Sequence, residues 1–153
     1  MEVLLPTKGY PKRSVEEMEN NWIIRQNQLR SQNDEPVQSF TYIGDTTGKH
    51  PSAEGFIKDP HDFQLSKHCL IPNAKMALKK HDYVTALFSI TGKWRVYWGK
   101  EFNVIDGELE LDQWDLISIP ENVWFGFENI DNKEGWLFEV KENHEFNQKV
   151  ENV

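Results

Sequence analysis

Residues Tyr83–Trp98, YVTALFSITGKWRVYW, decide how the chain is read. Two β-rich runs, Tyr83–Thr91 and Trp94–Trp98, alternate on either side of Gly92-Lys93. A two-residue break with glycine in first place between such runs specifies a tight hairpin. The same pattern spreads in both directions. Phe63–Ile71 and Met76–Lys80 precede the hairpin; Glu108–Asp112, Trp114–Ile119, Val123–Asn129 and Gly135–Lys141 follow it. Many short strands at this spacing predict an all-β sandwich or closed barrel.

Further out the signals change. Val37–Ile43 reads as one more strand, and residues 44–62, rich in Gly, Pro, Asp, Thr and His, read as one long loop. Before them an N-terminal helix is expected. Ser14 and Glu17 form a capping box, and Val15, Met18, Trp22 and Leu29, with Ile23 and Ile24 alongside, make one apolar face. Asn33-Asp34-Glu35-Pro36 stops it. Such a stripe is expected to pack on the barrel wall, with a lid or an oligomer arm as the alternatives. The organisation expected is therefore one domain. Residues 1–62 carry the helix, a strand and the loop, residues 63–141 form the barrel core, and residues 142–153 are a polar tail.

A chain of 153 residues can build a core without disulfides. Its one cysteine, Cys69, lies in an apolar run and is expected to be an inert core residue. No apolar stretch reaches the roughly 20 residues a membrane helix needs, and no secretory leader is evident, so a cytoplasmic location is the default expectation. The net charge of −8 is unevenly placed. Residues 101–153 hold 3 Lys/Arg against 14 Asp/Glu, a net of −11, while residues 1–100 hold 14 against 11, a net of +3. The acidic half argues against nucleic acid and against an anionic membrane surface, both of which need Lys and Arg to meet phosphates.

Two stretches resemble the paired motifs of the cupins, G-x5-H-x-H-x3–4-E-x6-G and G-x5-P-x-G-x2-H-x3-N. The first runs from Asn73 to Gly92, with Lys79 and His81 at its two His positions and Thr85 at its Glu. The second runs from Trp114 to Asn129, where Pro120 and Asn129 match, Asn122 takes the glycine position and Phe125 the His position. Asparagine is the non-glycine residue that best tolerates left-handed backbone, so the turns at 73 and 122 are expected to survive. The resemblance covers roughly residues 63–141. It implies a jelly-roll barrel (a double-stranded β-helix) and an inward-facing site that in metal-bearing members holds an ion through three His and one Glu. Here three of those four positions are Lys79, Thr85 and Phe125, so no metal or other cofactor is expected. If an ion binds, His81 and His68 are the candidates, with His50 or His61 of the long loop as a third ligand.

What stands in place of the ligands suggests other chemistry. Lys79 and His81, two residues apart, share a strand face and are the candidate proton-transfer groups. Lys79 alternatively belongs with Lys75 and Lys80 to a solvated basic edge. Thr85, Leu87, Ser89, Trp94, Trp98, Phe125, Phe127 and His68 are the candidate ligand-binding residues. The aromatic ones would wall a cavity for a flat or apolar molecule, or equally fill a small barrel. The expected function is small-molecule binding without a metal, with isomerisation or elimination of a small organic acid or aromatic compound as its catalytic form. The alternatives are a metal-dependent dioxygenase or isomerase with unusual ligands, and a non-catalytic binding or sensory module. The expected partners are an anionic or aromatic small molecule and a second copy of the chain in a homodimer.

Overall fold

A computed structural model describes residues 23–31, 33–44 and 61–142. Among the described residues nine strands follow one another: β1 (Val37–Ile43), β2 (Phe63–Leu70), β3 (Lys79–Lys80), β4 (Thr85–Thr91), β5 (Trp94–Gly99), β6 (Gly107–Leu111), β7 (Leu116–Ile119), β8 (Trp124–Asn129) and β9 (Gly135–Glu142). They form two sheets, one of order β1-β2-β9-β4-β7 and one of order β3-β8-β5-β6. Every pairing is antiparallel. At Gly92-Lys93 the expected hairpin is not formed: β4 belongs to one sheet and β5 to the other, so the chain turns a corner of the sandwich there instead of pairing the two strands. Among the described residues no helix is long and apolar enough to cross a membrane.

Period-two alternation decides what enters the space between the sheets. Leu70, Leu87, Trp94, Val96, Leu111, Ile119, Phe125, Phe127 and Leu137 fill it as one buried cluster. Burial of so much aromatic and aliphatic surface is the dominant stabilising contribution of the fold. Asn129 is buried beside this cluster, donating through Nδ2 to Leu70 O at 2.9 Å and to Lys133 O at 2.8 Å. It thereby ties β8 to β2 and closes one end of the sandwich. Cys69 is buried, and its thiol is pushed up to about 12, by burial first and then by the nearby Glu134 charge. The nucleophilic thiolate is thus suppressed.

The turns follow the motif glycines. All four of those positions lie in the left-handed region: Asn73 at φ 65°, Gly92 at 90°, Trp114 at 72° and Asn122 at 61°. Asparagine meets that demand at two of them. Tryptophan at 114 does not, and a bulky residue held there costs on the order of 1 kcal/mol or more. Backbone bonds hold the conformation, with Trp114 N–H donating to Ser89 O at 2.8 Å and Ser89 N–H to Asp115 O at 2.9 Å.

Further expectations change. The strand expected over Met76–Lys80 shrinks to Lys79–Lys80, because residues 74–76 meet β8 through separate contacts, Met76 N–H to Phe127 O and a bridge between Lys75 and Glu128. The strand expected from Trp114 begins only at Leu116, since left-handed backbone cannot continue a ladder. Most of the expected N-terminal helix lies outside the described residues. Its described end, residues 23–31, holds a single 3-10 turn at Gln26–Gln28 rather than α-helix, and it lays Leu29 into a buried position. The greater part of the long loop, with His50, and the tail beyond Glu142 also lie outside them.

Candidate ligand site inside the barrel

The inner face of β9 carries Gly135, Leu137, Glu139 and Lys141 in alternation, so Glu139 enters a space otherwise lined with apolar side chains. It is 1% exposed. Its Oε1 accepts two hydrogen bonds, from Lys79 Nζ at 2.7 Å and from His68 Nε2 at 2.8 Å. An ionised carboxylate only accepts, so His68 donates through Nε2 and its Nδ1 accepts a hydrogen bond from the Ser39 hydroxyl, 2.7 Å away. A chain of polar groups therefore runs from Ser39 on β1 through His68 on β2 to Glu139 on β9 and Lys79 on β3. It links the two sheets.

The electrostatics follow from burial and from charge. Burial alone would raise the Glu139 pKa, but Lys79, Lys141 and the His68 bond outweigh it and hold the carboxyl well below its ordinary value. Burial depresses His68, partly offset by Glu139, so its imidazole is neutral at pH 7. Lys79, Glu139 and His68 together thus carry no net charge.

The second polar group lies beside the first. His81 Nδ1 is 3.0 Å from Thr85 Oγ1, and its ring stacks on Tyr83 at 4.8 Å and 14° and stands edge-on to Phe125 at 5.7 Å. Burial first, and then the Lys141 charge, lower its pKa to about 4. Lys79 Nζ sits 5.6 Å from the Phe125 ring centre and 5.9 Å from that of Phe127.

The structure therefore brings Lys79, His81, Thr85 and Phe125 together, and adds His68 and Phe127 to them. Leu87 stands opposite Glu139 in register, and Ser89 lies one step along the same inner face, fully buried. Two other candidates lie in or against the hydrophobic core. Trp94 is fully buried, with its indole N–H donating to Thr91 O at 3.0 Å. Trp98 is half-buried, packed over Gly107, where an added Cβ would meet its ring at 2.6 Å. Lys79 is no solvated edge lysine, since its ammonium reaches a buried carboxylate; that bond also occupies the amine expected to act as a base. A separate concavity of about 550 Å³ opens on the outer face of the four-stranded sheet over Arg95 and Tyr97, and shares no residue with this site.

Neither a protein-family model nor a curated protein sequence matches the chain. Solved structures do. The Drosophila melanogaster CENP-C cupin domain superposes with a TM-score of 0.59 at 16% identity, over 87% of this chain and 85% of that one. The Schizosaccharomyces pombe Cnp3 cupin domain gives 0.57 at 11%, over 82% and 74%. KdgF from Halomonas sp. gives 0.55 at 10%, over 78% and 91%. The chain has the cupin fold.

The metal that many cupins carry does not fit these residues. Of the four ligand positions only His81 offers a metal-binding group, and its Nδ1 is engaged with Thr85. Glu139 is bonded both to His68 and to Lys79, whose positive charge would oppose an ion there. Among the described residues no group of three or more His, Cys, Asp or Glu stands close enough to hold one. Glu139 itself escaped the motif reading, because β9 lies beyond both cupin motifs. The available signal was alternation, which sets a carboxylate on the same strand face as Leu137.

Proposed function

We propose that this cupin binds a small molecule in its barrel interior without a metal, and that the ligand is a hydrogen-bond donor of neutral or positive charge, such as a polyol or an amine. One observation carries the reading. Glu139 Oε2 and Ser89 Oγ are buried on the same inner face, and neither has a hydrogen-bond partner among the described residues. A buried acceptor left unpaired costs about 1–3 kcal/mol, and more when it is charged. A ligand donating to Oε2 recovers that cost, while the rings of Phe125 and His81 supply an apolar wall for its body.

Charge decides the class. The ammonium of Lys79 is already balanced by Glu139, so an anionic ligand would meet an open carboxylate oxygen with no free cation in the triad. Basicity decides binding over turnover. A proton-transfer group works best with a pKa near the operating pH, whereas His81 is lowered to about 4 and Glu139 lies below the ordinary carboxylate range. Both are weak bases at pH 7. These features favour the non-catalytic binding module over an isomerase or lyase.

Thermal-shift and calorimetric titration against polyols, primary amines and carboxylic acids tests the proposal. Compounds of the first two classes are expected to raise the melting temperature, and Glu139→Gln to weaken them at least about tenfold, as loss of a charged hydrogen-bond acceptor does. Preferential binding of carboxylates, unchanged affinity in Glu139→Gln, or stoichiometric metal in the purified protein would overturn it.

A further inference from the structure

Trp114 breaks a rule that its neighbours keep. Apart from it, the described non-glycine residues at positive φ are all asparagines, at 73, 103 and 122. At 114 the same backbone demand is met by the bulkiest side chain, and that side chain is not buried. It is 62% exposed. Burial in the barrel core does not repay the strain, because the indole lies mostly in solvent, with the ring of Phe88 6.0 Å away. Local strain that the fold does not use is a pointer to function.

The surroundings say what kind. Leu116, next on the same outer face and opposite Phe88 in register, is 55% exposed. Leu116 opens β7, at the end of the five-stranded sheet, and Trp114 lies in the turn just before it; among the described residues β7 pairs with β4 alone. Its other edge makes no backbone hydrogen bond among the described residues. An open strand edge beside an exposed tryptophan and leucine is the arrangement that accepts an added strand, with main-chain bonds giving affinity and the side chains giving anchorage.

Charge selects the occupant. Asp112 and Asp115 are exposed on either side of Trp114, and no Lys or Arg occurs between Lys100 and Lys133. A second copy docked here through a two-fold axis would set these acids against their own equivalents. A segment carrying Lys or Arg meets them favourably.

We propose that the β7 edge with Trp114 and Leu116 docks an extended basic and apolar segment of a partner protein as a sixth strand of the sheet. Trp114 is its anchor. The site is on the outside of the barrel and is independent of the interior ligand.

The full chain is titrated with the fluorescein-labelled peptide Lys-Ile-Arg-Val-Lys-Leu, amide-capped, and with its acidic counterpart Glu-Ile-Asp-Val-Glu-Leu, both read by fluorescence anisotropy. The basic peptide is expected to bind, to weaken in high salt, and to exceed the acidic one at least about tenfold. Trp114→Asn is expected to lose about 30-fold in affinity, the loss typical of a truncated hot-spot tryptophan. It should at the same time melt about 2–4 °C higher, because asparagine relieves the backbone strain. Absence of basic-peptide binding at millimolar concentration overturns the proposal. So does equal binding of the acidic peptide, unchanged affinity or a lower melting temperature in Trp114→Asn, or a homodimer that Trp114→Asn dissociates.

Discussion

At the scale of single residues, Glu139 is the pivot of the interior. A carboxylate with 1% exposure is tolerable only where cations and donors surround it, and Lys79 and His68 supply both. Lys79→Met removes the ammonium and leaves the carboxylate uncompensated. We expect a loss of about 3 kcal/mol, toward the lower end for a broken buried pair because the Lys79 side chain keeps 25% of its exposure. Adding Glu139→Gln removes the stranded charge and should recover most of that loss, which urea denaturation of the two variants measures. A double variant no more stable than Lys79→Met would show that the pair is not coupled. The residue scale is also where sequence reading reached least far. Lys79, His81, Thr85 and Phe125 were legible because a motif named their positions. Glu139 and Ser39 were not, since they come from strands outside the motifs and meet the others only across the barrel.

At the scale of elements, the turns make the site. Asn122 N–H donates to His81 O at 2.7 Å, so the turn before β8 fixes the backbone of the segment that carries His81. The side chain of Asn122 is exposed, and its requirement is conformational: φ is 61°. Asn122→Ala is expected to cost about 1 kcal/mol, whereas Asn122→Gly should stay within a few tenths of the parent chain. Thermal melts of the two variants compare them directly, and equal losses would point to the asparagine side chain instead of its backbone. The strands themselves were well marked. Val37–Ile43 has the expected ends, and the others shift mainly at their termini, where a single positive φ or an isolated bridge interrupts the ladder. The helix expected from Ser14 fares differently at its described end. Ile23 is 40% exposed while Leu29 is buried, and Lys67 of β2 donates to the side chain of Gln26 between them.

At the scale of the whole molecule, the buried polar groups tie stability to pH. His81 and His68 have depressed values in the folded state, so only the unfolded chain takes up their protons as pH falls below the ordinary 6.5. Stability is then full above that value and declines as pH falls toward about 4, where His81 itself titrates in the fold. For His81 the span corresponds to about 3 kcal/mol. Glu139 acts below this range. Its depressed value makes its contribution present above the ordinary carboxylate pKa of 4.5 and lost as pH falls through the folded value. Chemical denaturation from pH 7 to pH 4 should therefore show a steady fall, and His81→Gln should flatten it; a flat profile in the parent chain would contradict the burial of neutral imidazoles. Sequence alone determined the β-class, the approximate extents of the strands along the chain, the turns at Asn73, Gly92 and Asn122 and the replacement of three motif ligand residues, because periodicity and left-handed backbone are local properties. Only tertiary structure decided which face of β2 and β9 points inward, and hence that His68 and Glu139 meet Lys79. Register between strands distant in sequence is set by how the whole core packs, and a buried carboxylate becomes visible only when its partners arrive from other strands.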